Sequence, residues 1–215
     1  MMTQRFATSA ETGAGATLRR LLTADGTRAH PYPTRIAANR SDARDLSDAV
    51  HALCAVHGHH PDLLAIAADL TKAPVERDWL LEASEGFAVE RAGLAKLVAA
   101  AGPLPSTPGQ AETSAALSAE RHTLEMLARS ERAGVALGAA AALVGDWQAI
   151  RLVLDHAADR FGVLLPPASA LDAEALLDRT AALERAVGFG AQQLLAQHRG
   201  LWSLLEARAS ARDRH

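Results

Sequence analysis

The chain predicts an all-α protein, an up-down helical bundle with an additional long C-terminal helix. Three observations carry that expectation. Alanine dominates a sequence that is 49% hydrophobic but only 4% aromatic. Alanine loses no side-chain entropy in a helix, whereas β-branched residues, sparse here, prefer strands. Apolar residues recur at steps of three and four over long windows, and no segment alternates with a period of two.

Residues 1–40 read as a flexible N-terminal tail and an irregular connector. Small and polar residues up to about 16 offer little to bury. A short amphipathic turn over 17–22 would anchor through Leu18, Leu21 and Leu22, while Pro31 and Pro33 break up 24–40. A single bundle domain follows over 41–208. Its first helix starts at Ser41 as N-cap, carries Leu46, Val50, Leu53 and His57 on one stripe, and ends at Gly58; Pro61 opens a continuation through Leu70. The second helix, 74–101, begins on a first-turn proline. Its stripe runs Trp79, Ala83, Phe87, Glu90, Leu94 and Leu97, and Gly102-Pro103 stops it.

The next helix opens on the Thr107, Pro108, Gln110 capping pattern. It is expected to run unbroken through Leu117, Glu120, Leu124, Leu127, Glu131, Val135, Gly138 and Ala142. Gly145 would end it in the left-handed conformation, and Asp146 would cap a fourth helix carrying Trp147, Ile150, Leu154 and Phe161. The last helix starts near Asp172, bends at Gly188 and Gly190, and reaches 208, leaving 209–215 as a frayed tail. Its stripe includes His198, expected to be a hydrogen-bonded core histidine. Trp79, Trp147 and Trp202 are expected as core or interface anchors.

Composition narrows the function classes. A net charge of -3 shows none of the basic excess that nucleic-acid binding requires. No apolar run of roughly 20 residues is expected to form a membrane helix, and the N-terminus has no continuous apolar core of a signal peptide. The single cysteine, Cys54, permits no internal disulfide and fits a reducing compartment, so a cytoplasmic setting is expected.

Two constellations could carry chemistry. Glu90-Arg91-Ala92-Gly93, Glu131-Arg132-Ala133-Gly134 and Glu184-Arg185-Ala186-Val187 repeat one local pattern, with Glu90 and Glu131 on apolar stripes. A carboxylate turned into a core is paired with a cation or coordinates a metal, and facing helices can gather several such oxygens. The second is His51, Cys54 and His57, at i, i+3 and i+6, where imidazole and thiolate could serve zinc or copper. The alternative for these histidines is to complement the negative end of the helix dipole. Glu90, Glu131, His51 and His57 are therefore the candidate metal ligands.

A bundle with inward glutamates on adjacent helices resembles the ferritin-like superfamily over about 41–161. That resemblance implies a di-iron site marked by Glu-x-x-His motifs. Here Gly93, Gly134 and Val187 stand where the histidines of Glu90, Glu131 and Glu184 belong, and the one acid-x-x-His, Asp48 to His51, lies off its helix's main stripe. The expectation is a bacterial-type, non-catalytic binding or interaction protein with a degenerate ferritin-like core. It would carry no cofactor, take a small apolar ligand, and form a homodimer through an alanine-rich helix face. The alternative is a metal-dependent oxidoreductase, with iron, manganese or zinc held by the inward glutamates.

Overall fold

The computed structural model describes residues 12–38, 42–104, 109–180 and 184–214. Among them are nine α-helices, one 3₁₀ turn and no strand: α1 (Ala14–Asp25), the 3₁₀ turn (Thr27–Ala29), α2 (Pro31–Ile36), α3 (Ala43–His57), α4 (Leu63–Leu70), α5 (Pro74–Ala101), α6 (Gln110–Ala128), α7 (Val135–Phe161), α8 (Ala173–Leu177) and α9 (Glu184–Arg212). The all-α bundle expected from the sequence is therefore the fold.

The helix α7 is the axis of the bundle. It packs most extensively on α9 and also touches α1, α3, α4, α5 and α6. Ala139, Ala140, Ala141 and Ala142 are completely buried in it. Small side chains there let several helices approach one rod at once. That alanine face is filled from within the chain, so it is not available as the surface of a homodimer. By length and composition α7 could cross a membrane, yet 83% of its most apolar window is buried against the rest of the protein.

Residue pairings fix the helix directions. His51 of α3 bonds the Gly102 carbonyl beyond α5, and the His57 ring meets the Phe87 ring, so α3 and α5 are antiparallel. Leu124 and Leu143 line one cavity, and Ala128 and Leu137 line another, which sets α6 antiparallel to α7. The additional helix α9 runs parallel to α7: Gly138 lies on Val187, and eight residues later Asp146 lies on His198. The segment from Gly162 through α8 makes the required crossover.

Several boundaries differ from the expectation. The long third helix does not run from 110 to 144. It breaks at 129–134, where Gly134 takes φ 91°, and α7 then passes straight through Gly145. A left-handed glycine interrupts the helical hydrogen bonds wherever it falls. Gly145 instead clears space for Leu22 of α1, whose Cδ1 would lie 2.7 Å from an added Cβ. The last helix breaks after α8 rather than at Gly188 and Gly190, both of which are helical.

The described parts of the connector and of the C-terminal segment, 12–38 and 209–214, also fold, while the flexible tail expected over 1–11 lies outside the described residues. Pro31 starts α2 with His30 as its cap, and Tyr32 and Ile36 are buried to 0% and 1% exposure. Leu18 anchors α1 against α9, and Thr17 bonds Glu184 at 2.6 Å. At the other end α9 continues to Arg212, whose guanidinium pairs with Asp45 and Asp48 of α3. The ion pairs give the last turn partners that a frayed end would lack. The expected caps Ser41, Thr107 and Pro108 lie outside the described residues; Asp42 caps α3, bonding the Arg44 amide at 2.8 Å.

Candidate functional site

A chain of buried polar groups crosses the middle of the bundle. It begins at Trp202 of α9, whose indole Nε1 donates to Thr27 Oγ1 at 2.9 Å. Thr27 then donates twice to Asp146 of α7: its hydroxyl to Oδ2 at 2.6 Å and its amide to Oδ1 at 2.7 Å. The amide of a first helical turn has no partner within that turn. Asp146 therefore caps an element 119 residues earlier in the chain rather than the helix that contains it. His198 Nδ1 lies 2.7 Å from Asp146 Oδ2, and its Nε2 lies 3.2 Å from His57 Nε2 at the end of α3.

The electrostatics follow from this arrangement. Burial alone would push the Asp146 carboxyl up. The hydrogen bond and charge of His198, with the two bonds from Thr27, outweigh it and hold the group below its ordinary value. The Asp146 carboxylate meets His198 at Nδ1, which orients the ring so that Nε2 meets His57. Burial, and then the charge of His198, lower His57 well below the usual histidine value, so that ring is neutral. Phe87 and Trp147 pack edge-on against it, at centroid distances of 6.2 and 5.3 Å. Glu120 approaches from α6. Its Oε1 is buried without a hydrogen-bond partner among the described residues, and burial pushes the carboxyl up to about 7 against the opposing charge of His198.

The four residues expected as metal ligands are not gathered together; each borders a different cavity. Glu90 is buried, as its stripe implied, but Arg151 Nη1 donates to both its oxygens at 2.8 and 3.0 Å. The same guanidinium holds Asp155 and the Pro166 carbonyl, which takes the pairing alternative over the coordinating one. Glu131 is exposed in the break between α6 and α7, because the continuous helix that would have turned it inward does not form. His51 is spent on the Gly102 carbonyl at 2.8 Å. Only His57 joins the buried chain. Among the described residues no three His, Cys, Asp or Glu side chains are arranged as a ready ligand set.

His198 is the hydrogen-bonded core histidine the stripe suggested, 0% exposed. Thr27 and Asp146 were missed as site residues. The available signal was Asp146 inside a long apolar run, a position that requires a partner; nothing near it in sequence identifies Thr27.

Apart from this chain, a cavity of about 420 Å³ opens between α3, α6 and α9. Ala52, Ala55, Val98, Leu117 and Leu205 supply an apolar floor, and Cys54 faces it. Arg121 and Arg208 stand at the walls, Arg121 bonded to His59 at 2.9 Å and Arg208 to Thr113 at 2.7 Å. Burial pushes the Cys54 thiol up. A larger depression of about 730 Å³ lies over the 129–134 break, but Lys72, Glu76, Arg129, Glu131 and Arg132 line it with charges of both signs.

Neither the curated proteins nor the solved structures contain a match to this chain. A family model matches residues 22–213, from the middle of α1 past the end of α9, and so spans both the buried polar chain and the cavity. The protein belongs to that family, the family of unknown function DUF6975.

Proposed function

We propose that the protein is a non-catalytic binding protein that takes a small, largely apolar ligand in the cavity between α3, α6 and α9. The observation that carries this reading is the cavity's chemistry. It combines an aliphatic floor with a few polar groups at its walls, the usual make-up of a small-molecule site. Its size suits a ligand of drug-like or fatty-acyl dimensions. The reactive side chain facing it is Cys54, whose raised thiol is a poor nucleophile at neutral pH. That supports binding over covalent catalysis. A cytoplasmic setting is part of the proposal, supported by a sequence whose one cysteine can form no internal disulfide.

The alternative, an oxidoreductase with its metal on Glu90 and Glu131, has less support. One of these carboxylates is neutralised by Arg151 and the other is exposed.

The test is saturation binding of the apolar fluorophore anilinonaphthalene sulfonate, followed by its displacement with medium-chain fatty acids and alcohols. Ser118, exposed on the cavity wall, provides the control. The reading expects one saturable site per chain that is lost in Ser118→Trp while the helical circular dichroism is kept. Binding that does not saturate, or that Ser118→Trp leaves unchanged, refutes it.

A further inference from the structure

We propose that the cavity between α3, α6 and α9 selects an anionic amphiphile, a single-headed aliphatic carboxylate whose head group docks on Arg121 while its tail lies on the aliphatic floor. The inference rests on the apolar-ligand reading above and adds to it the charge of the ligand.

The hydrogen-bonding inventory of the walls carries it. Four side-chain acceptors there already receive an arginine N–H. Arg208 donates to Thr113 Oγ1 at 2.7 Å and to Gln110 Oε1 at 3.1 Å, Arg121 donates to His59 Nε2 at 2.9 Å, and Arg212 donates to Asp48 Oδ2. The Thr113 and Ser114 hydroxyls donate to the backbone carbonyls four residues before them, each at 2.9 Å. A guanidinium carries five N–H donors and no acceptor. Walls built this way offer donors to an incoming head group, so the matching group is one that only accepts. An ionised carboxylate is such a group, whereas an ammonium only donates and an alcohol must place its own proton.

Charge and position point the same way. Two guanidiniums, Arg121 and Arg208, line the cavity against one carboxylate, Asp48. Asp48 is engaged by Arg212 from outside the cavity, and Arg208 Nε lies 3.7 Å from it. Arg121 has a looser counterion: Glu125 Oε1 stands 3.8 Å from its Nε, beyond hydrogen-bond distance, and both side chains are more than a third exposed. That contact is the one a ligand anion replaces at least cost. Ser114, Ser118 and Arg121 follow at steps of four and three, so they share a face of α6 with Leu117, which reaches the floor. The floor residues Ala52, Leu117 and Leu205 are exposed by 8% or less, against 38% for the Arg121 side chain. A tail laid on that floor therefore leaves its head group at the rim, on the side where Arg121 stands.

Calorimetric titration of the full chain with decanoate, decanol and decylammonium, each below its micelle concentration, tests the site and its charge preference separately. Decanoate should bind one site per chain about tenfold tighter than decanol, the low end for a hydrogen bond to a charged group, because Arg121 is partly exposed. Decylammonium should bind weakest. Added salt should narrow the preference for decanoate, and Arg121→Gln should bring it within about threefold of decanol while leaving decanol itself unchanged. Equal binding of decanoate and decanol by the parent overturns the charge selectivity and leaves the apolar cavity standing. A decanoate preference that survives Arg121→Gln does the same. Saturable binding of none of the three, or binding that Ser118→Trp leaves intact, removes the cavity reading and this inference with it. The head-group comparison is made on the parent protein, so it decides the question whatever Arg121→Gln does to folding.

Discussion

Adding one methyl group at Gly138 tests the parallel packing of α7 on α9. In isolation Gly138→Ala should help, since alanine is favoured over glycine in a helix interior by about 1 kcal/mol. In this fold the new Cβ would lie 2.1 Å from the Val187 carbonyl oxygen and 2.7 Å from its carbon and Cα. These are backbone atoms of a helix and cannot rotate away. Restoring ordinary contact requires α9 to retreat by about 1 Å, a gap that forfeits a quarter to a half of each affected dispersion well. The strip between these helices includes Val135, Ala139, Ala142, Val187 and Ala191, all at 2% exposure or less. Overpacking costs about 1–3 kcal/mol, occasionally more, and rigid obstacles belong at the upper end. After the propensity gain, Gly138→Ala should destabilise by about 2 kcal/mol, lowering Tm by about 4–8 °C for a chain of this size. Gly200 is the internal control: it lies in α9, exposed, with nothing within 4 Å of an added Cβ. Gly200→Ala should stabilise by about 0.5–1 kcal/mol. Urea denaturation followed by circular dichroism reads both variants, with an unchanged m-value showing that only stability moved. If Gly138→Ala proves as stable as Gly200→Ala, the close parallel contact is wrong.

Two further outcomes follow from the buried groups. Glu90→Ala leaves the Arg151 guanidinium, 5% exposed, with only Asp155 and the Pro166 carbonyl. It should cost about 3 kcal/mol, the low end for breaking a buried pair, and denaturation of Glu90→Ala beside a Glu90→Leu, Arg151→Met double variant should show the double variant recovering most of the loss. The Cys54 thiol, raised by burial above its ordinary 9.0, should react with iodoacetamide more slowly than a free thiol at pH 8. Its rate should climb as pH rises, with a midpoint above 9, because only the thiolate attacks; a midpoint at or below 9 would contradict the buried setting.

Much of the fold was legible because several helices carry their own start and stop signals. Pro74 and Gly102 bracket α5 where proline-first and glycine-after chemistry places them. The misplaced boundaries of α6 and α7 share one cause. Gly134, Gly138 and Gly145 look alike in sequence, yet one takes a left-handed turn and the other two make room for Val187 and Leu22. Which role a glycine serves depends on what packs against it, and periodicity does not carry that information. The error moved Glu131 from a core stripe into an exposed break. Pro31 was read as a breaker because its following segment is short, but burial of Tyr32 and Ile36 stabilises α2. At the site, the stripes identified Glu90 and His198 as buried, and no local pattern could supply Arg151 and Asp146 as their partners, or Thr27 as the partner of Asp146. Those pairings span 61, 52 and 119 residues of chain.

Asp146 draws its hydrogen bonds from both directions along the chain, from Thr27 long before it and His198 well after it. During synthesis from the N-terminus, α7 is therefore complete before the imidazole that bonds its acid has been made. Until α9 docks, the most apolar helix among the described residues carries a carboxylate bonded by Thr27 alone, and is less suited to bury itself. Docking of α9 supplies that partner, so α7 buries fully only once His198 is in place, and a chain stopped short of His198 would expose the α7 surface that it otherwise conceals.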